Sequence, residues 1–350
     1  MDLEIILLII NRIKKWDINN LKNYISDNWA KNHILTQHNE LLNWQYKFKE
    51  HYNFIIAKEN DKIIGFQGYI PLNQYDYNLN NKEIFLAMWM AKEKNSIGLG
   101  MKINNRLIEL TNPNFIGVLG INQNLLKFHK WQKYEVGEMN HHLMISNNIK
   151  NYKILGGYKK EFAQIKLEQN NTSFILIKND TDFKIIKGDI FEHQHPKKSI
   201  EYLKNRYFFH PIYNYSIYAI FNNGEIKCLL VVRVISVEGS KVIRIVDYIG
   251  SSSDFIFLNN LLNYLLDYYS AEYIDIYSFG IDDSIIRKTG LINKFFYKSL
   301  IVPNYFEPFV KENIKINYAF KTNYDNNKIR LFKGDGDQDR PSFLREKCIT

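Results

Sequence analysis

The apolar positions of this 350-residue chain fall into short continuous runs that alternate with amphipathic stretches, the pattern of a mixed α/β protein. The clearest stretch lies between Glu83 and Met144. Residues 84–90 form an apolar run of strand length, and Met101, Ile103, Leu107, Ile108 and Leu110 then recur at helical spacing. Asn112-Pro113-Asn114 stops that helix, and residues 115–121 are a second apolar strand. The link before the helix reads Asn95-Ser96-Ile97-Gly98-Leu99-Gly100, so the whole is a strand, a glycine turn, a helix and a strand, a βαβ unit.

Glycines one residue apart let the backbone turn sharply and aim successive N–H groups at a ligand. A helix that begins there adds its unpaired N–H groups and the positive end of its dipole, which suits a pyrophosphate.

Upstream, amphipathic helices are expected at residues 19–29 and 38–48, the second carrying Trp44 and Tyr46, followed by a hairpin of residues 54–58 and 62–70. Residues 141–145 are expected to close the first sheet. Periodicity weakens from 147 to 188, which suggests a linker with a small hairpin. The second half then repeats the order: a helix at 200–209, a hairpin of 215–221 and 226–236, a strand at 241–249, a helix at 255–269, a strand at 273–277 and a short helix at 283–290. Ser251-Ser252-Ser253-Asp254 replaces the glycine turn in this copy, and Asp254 would repel a phosphate. The expected division is therefore a first domain over 1–150, a linker over 151–188, and a second, degenerate copy with a C-terminal extension over 189–350.

Composition narrows the chemistry. A net charge of +9 favours anionic partners, but Lys14-Lys15, Lys159-Lys160 and Lys197-Lys198 are isolated pairs, so nucleic acid binding is not expected. Cys228 and Cys348 are the only cysteines, which gives no disulfide framework and fits a reducing cytoplasm. The apolar run 5–10 is too short to span a bilayer, and Asp2 and Glu4 precede it where a signal peptide would be basic. A soluble, cytoplasmic protein without a membrane span is expected. No metal is expected either: His129, His141 and His142 lack ligand spacing. The alternating carboxylates of Asp335-Gly336-Asp337-Gln338-Asp339 lack a calcium loop's following helix.

Residues 95–100 resemble the acyl-CoA motif of the GNAT superfamily, a Gln or Arg, two residues and Gly-x-Gly, with Asn95 in the first position. Residues 122–134 resemble its second signature: Asn122 ends a strand, an aromatic is usual seven residues on, and a Gly-Phe pair closes it. Tyr134 matches the Phe; His129 stands where an acidic Tyr is usual, and Lys133 replaces the Gly. This resemblance covers residues 52–146. Residues 302–309 and 333–341 look like segments of tandem GNAT-like proteins from bacterial surface-polysaccharide gene clusters.

The resemblance implies two tandem GNAT-like domains, each a mixed sheet with flanking helices, the second degenerate. It implies that acetyl-CoA or another acyl-CoA binds at Asn95, Ile97, Gly98, Leu99 and Gly100, with Asn122 orienting the pantetheine or the helix. The acyl group would pass directly to an amino group of a nucleotide-linked or surface-polysaccharide sugar. Glu93 would be the base, and His129, as an imidazolium, the acid or else a packing residue. Trp44 and Tyr46 would lie on the acceptor side, as substrate contacts or as core. Asp335, Asp337 and Arg340 would bind the acceptor, or the aspartates would hold a tight turn. Two alternatives stand beside this: a Fem-type transferase that takes aminoacyl-tRNA, and a non-catalytic binding protein.

Overall fold

In the computed structural model, which describes residues 8–91, 98–158 and 171–342, the apolar runs of the first half become β1 (Leu8–Arg12), β2 (Phe54–Glu59), β3 (Lys62–Pro71), β4 (Glu83–Ala91) and β5 (Phe115–Leu119). Two amphipathic helices, α1 (Ile18–Asn28) and α2 (Asn39–Tyr46), join β1 to β2. The β2–β3 turn places Asn60 and Asp61 both at positive φ, the geometry that matches the right-handed twist of a hairpin. Helix α3 (Leu99–Thr111) crosses from β4 to β5; it begins at Gly98, in the left-handed region, and ends at Asn112 before Pro113. Its buried face of Leu99, Ile103 and Leu107 packs on Ile84 and Leu86 of β4 and Ile116 of β5. Burying each such side chain stabilises the fold by about 1.5–3 kcal/mol.

The chain continues through α4 (Leu126–Trp131), β6 (Glu135–Glu138) and β7 (Asn140–Ile145). The second half contributes β8 (Thr172–Ile177), β9 (Ser216–Asn222), β10 (Glu225–Val237), β11 (Ser240–Gly250), α5 (Asn259–Tyr269) and β12 (Tyr273–Phe279). The short β13 (Ile292–Asn293), then β14 (Asn317–Thr322) and β15 (Leu331–Phe332) follow. Among the described residues one sheet runs β1-β2-β3-β4-β5-β14-β6 and the other β8-β9-β10-β11-β12-β7-β13, with β15 also on β12.

The two sheets exchange strands. Only Met139 separates β6 from β7, yet β7 runs antiparallel to β12 in the second sheet, with Met144 opposite Ile274. In its place β14 returns from the second half and lies antiparallel to both β5 and β6. The expectation that residues 141–145 close the first sheet is therefore corrected. The physical reason is that β7 is buried on both faces, with Met144 in one core cluster and Leu143 and Ile145 in another, and a doubly buried run carries no mark of which sheet it joins. Strand β8, inside the stretch expected to be a linker, is the edge of the second sheet; its alternating burial is that of a half-covered strand.

One apolar cluster joins the halves: Phe85, Phe115 and Phe320 of the first sheet share it with Leu229, Val231, Val246 and Tyr277 of the second. No helix among the described residues is long and apolar enough to cross a membrane.

Candidate functional site

Strands β4 and β5 pair in parallel from Glu83 opposite Phe115 to Leu86 opposite Val118, and then part. Strand β4 continues along β3 to Ala91, while β5 stops at Leu119 and the chain turns away at Gly120, whose φ is +71°. The β3–β4 register shifts by one residue beside this point, so that Met88 has no partner opposite it. Such a bulge bends the strand and increases its local twist. Past Gly120, the Asn122 Oδ1 accepts the Asn124 N–H at 3.0 Å and starts the turn into α4.

Between the separated strand ends lies a cavity of about 420 Å³, lined by Trp89, Asn104, Asn122 and His129, and also by Asp337 and Arg340 from the far end of the chain. Three buried polar atoms on its wall have no hydrogen-bond partner among the described residues: Trp89 Nε1, Asn104 Nδ2 and His129 Nδ1. Each such group costs about 1–3 kcal/mol unless something satisfies it, and buried polar groups are otherwise almost always paired.

At the helix entrance, a Cβ on Gly98 would be strained by its φ of +79°. Gly100 is required for a different reason: its Cβ would stand 2.6 Å from the Trp89 ring. Leu99 faces the core, so only its backbone is available to a ligand. Glu93, Asn95 and Ile97 lie outside the described residues.

His129 is 4% exposed, edge-on to Phe128 and Tyr134, and burial lowers its pKa to about 4. Burial therefore favours the uncharged ring at neutral pH, which weighs against the imidazolium acid and toward the packing role, the two alternatives expected for it. The neighbouring Tyr134 hydroxyl is also buried, without a partner among the described residues, and burial raises it to about 12.

The C-terminal tail reaches this cavity through the second half. Strands β11 and β12 pair in parallel only from Ile243 opposite Ile274 to Ile245 opposite Ile276. Beyond that, β15 adds to β12 at Ser278 and Phe279, and the Gly334 N–H donates to the Val246 carbonyl at 2.8 Å. The gap that corresponds to the first cavity is thus filled by the chain itself. Arg206 then donates to the Gly334 and Gly336 carbonyls at 2.8 and 2.7 Å. Arg233 grips Asp339 with two bonds of 2.7 and 3.0 Å.

Asp335 is fully buried, accepts the Phe332 N–H at 2.8 Å and pairs with Lys198 at 3.1 Å. Of the two roles expected for this residue, acceptor binding or holding a turn, its contacts are those of an internal anchor. The anchors deliver Asp337, 3.5 Å from Arg340, to the first cavity. Arg340 also lies 3.4 Å from His33 Nε2.

Trp44 and Tyr46 do not line the cavity. The Trp44 indole N–H donates to the Asn205 carbonyl at 2.8 Å, and its ring packs on His210 and under the Arg206 guanidinium, so it ties α2 to the second half. Tyr46 is buried on Phe54 and against Gly68. Trp44 is half-buried and Tyr46 fully buried in these contacts, and the Tyr46 hydroxyl feels the charges of Asp337 and Arg340.

The sequence reading missed Trp89, Asn104 and Gln338, which also line the cavity. Asn104 had a signal: it is an amide next to Ile103 and one turn before Leu107, on the buried face of α3.

No protein-family profile and no curated protein matches this sequence. Solved structures do match its shape. A GCN5-related N-acetyltransferase from Anabaena variabilis ATCC 29413 aligns over 90% of this chain and 73% of its own, at 8% identity and a TM-score of 0.54. A GCN5-related glucosamine N-acetyltransferase region of a fungal multi-domain GH3 β-N-acetylglucosaminidase aligns over 91% of this chain and 38% of its own, at 11% identity and 0.50. A conserved protein of unknown function from Enterococcus faecalis V583 aligns over 89% and 72%, at 7% identity and 0.50. The chain has the fold of the GCN5-related N-acetyltransferases, carried as two mixed sheets.

Proposed function

We propose that this protein is an acyl-CoA-dependent N-acyltransferase with one donor site per chain. The donor, acetyl-CoA foremost, lies between β4 and β5 with its pyrophosphate against the N–H groups that follow Gly98. The acceptor is an amine, that of a nucleotide-linked or surface-polysaccharide sugar, and it enters from the side of the tail. The observation that carries this reading is the convergence of Asn122, His129, Asp337 and Arg340 on a single cavity at the strand separation.

The amine adds to the thioester carbonyl, the C–N bond forms, the C–S bond breaks with coenzyme A leaving as a thiolate, and the amine proton goes to a carboxylate and from there to the thiolate sulfur. Glu93 and Asp337 are the carboxylates assigned to that role. As a neutral imidazole, His129 donates one hydrogen bond and accepts another. Its part is to orient the reacting groups or relay a proton, without carrying a charge of its own.

Calorimetry of the full chain with acetyl-CoA, followed by thiol release in the presence of amino-sugar phosphates and nucleotide-linked amino sugars, tests the proposal. Binding and amine-dependent thiol release are expected. Failure to bind acetyl-CoA, with tight binding of aminoacyl-tRNA instead, would transfer the reading to the Fem-type class that the +9 charge also accommodates.

A further inference from the structure

A second cavity of about 160 Å³ lies where the two halves meet, and it shares Asp337, Gln338 and Arg340 with the first. Lys333 and Asn304 line it, and each is only 3% exposed. The Lys333 ammonium donates to Asn304 Oδ1 at 2.7 Å, and among the described residues no carboxylate lies within ion-pairing distance of it. The other cations of this wall are matched: Arg233 pairs with Asp339, and Arg244 with Asp275. Lys198, buried nearby, has both Asp247 and Asp335.

Among the described residues Lys333 is thus a buried amine with no ion pair, acted on by Asp339 and Asp275 only from beyond pairing distance, a setting that disfavours its charge. Burial first, and then the Arg244 charge, lower its pKa to about 7. The second donor follows from the first. Asn304 Oδ1 is held by Lys333 and by Arg244 at 3.3 Å, so the amide nitrogen faces away from both, and Nδ2 has no partner among the described residues. Two donors, the Lys333 amine and the Asn304 amide, both buried and both with donor capacity left among the described residues, border this cavity, whose wall also carries Glu307, Asp337 and Asp339. The two make a donor set for an oxyanion.

We propose that this cavity is an anion subsite in which Lys333 and Asn304 hold a carboxylate or phosphate of the acceptor, while the acceptor amine reaches past Asp337 into the acyl cavity. As an acceptor subsite it rests on the acyltransferase reading; as an anion site it does not. The acceptor class is accordingly an amine that also bears a carboxylate or a phosphate.

The test titrates the full-length protein with inorganic phosphate and, separately, with acetate at constant ionic strength, following thermal unfolding and calorimetric heat. Lys333→Met and Asn304→Asp are measured alongside. One of the two anions should bind the wild type and bind each variant at least about tenfold more weakly, the loss of one charged hydrogen bond. Preference for phosphate identifies a phosphate ester, and preference for acetate a carboxylate. Lys333→Met should unfold no earlier than the wild type, since it removes a buried amine that has no ion pair among the described residues, and should bind acetyl-CoA unchanged. Equal anion binding by wild type and both variants, or none by the wild type, overturns the subsite. Anion binding that depends on Lys333 in a protein that does not bind acetyl-CoA keeps the site and removes its role in acyl transfer.

Discussion

The side-chain amide of Gln338 fills the space that a Cβ on Gly120 would need, and its Nε2 donates to the Leu119 carbonyl at 3.2 Å. The tail of the second half is therefore seated on the strand end that bounds the first cavity. Gly120→Ala should lose about 1–3 kcal/mol, from strain at positive φ and from displacement of Gln338. Chemical denaturation measures the loss, and limited proteolysis should show earlier cleavage near residue 340. An unchanged unfolding midpoint would mean that the tail is not seated there.

The glycines at the start of α3 should separate by mechanism. Gly98→Ala adds backbone strain with nothing among the described residues nearer than 4.0 Å, whereas Gly100→Ala puts a methyl group into the Trp89 ring. Acetyl-CoA affinity should fall modestly in the first and by more than about tenfold in the second, and Gly100→Asp should abolish binding. Calorimetry with circular dichroism as a control for folding decides it. Unchanged affinity in folded Gly100→Asp would remove the donor from this turn.

Coenzyme A should bind once per chain. The second sheet's strands also part, but β15 and Gly334 occupy the gap, and Asp254 stands at the turn that follows β11. A measured stoichiometry of two would contradict this.

Arg340→Ala should weaken the acceptor by about 1–3 kcal/mol and leave acetyl-CoA alone, because Arg340 lies on the tail and not on the β4–α3 turn. Weakening of both ligands together would make the arginine part of the general fold.

Acid should destabilise the protein earlier than carboxylate titration alone would. Burial lowers His129 to about 4, and burial followed by the Arg206 charge lowers His210 to about 3, against about 6.5 in the unfolded chain. The unfolded chain binds protons there that the folded chain refuses. The stability is thus complete above about pH 6.5 and is lost as pH falls toward 4, by about 3 kcal/mol for His129. Urea unfolding at pH 7 and pH 4.5 reads the difference, and His129→Gln should reduce it. A His129→Gln variant with the same pH dependence as the wild type would show that the ring is not held neutral.

The order of strands and helices was legible because each apolar run is bounded by turn residues: Asn60-Asp61 in one hairpin, Asn223-Gly224 in another, and Pro113 after α3. The glycine turn and the Asn122 signature were legible as local patterns. The partner of each strand was not. β7 and β14 satisfy the same hydrophobic pattern, and only the three-dimensional fit of Phe320 against Phe115 and of Met144 against Ile274 decides which sheet each joins. Asp335 and Asp337 likewise look alike in sequence. Their roles diverge because Lys198 lies beside the first and open space beside the second.

The exchange of β7 for β14 bears on how the molecule is made. When residue 138 leaves the ribosome, β5 and β6 have no strand between them, and the one that belongs there, Asn317–Thr322, has yet to be synthesised. The first sheet must wait for most of the chain, and contacts so distant in sequence form slowly. Neither half separated from the other has a complete sheet, so the two should melt in one transition, and a break in the second sheet should be felt at the cavity between β4 and β5.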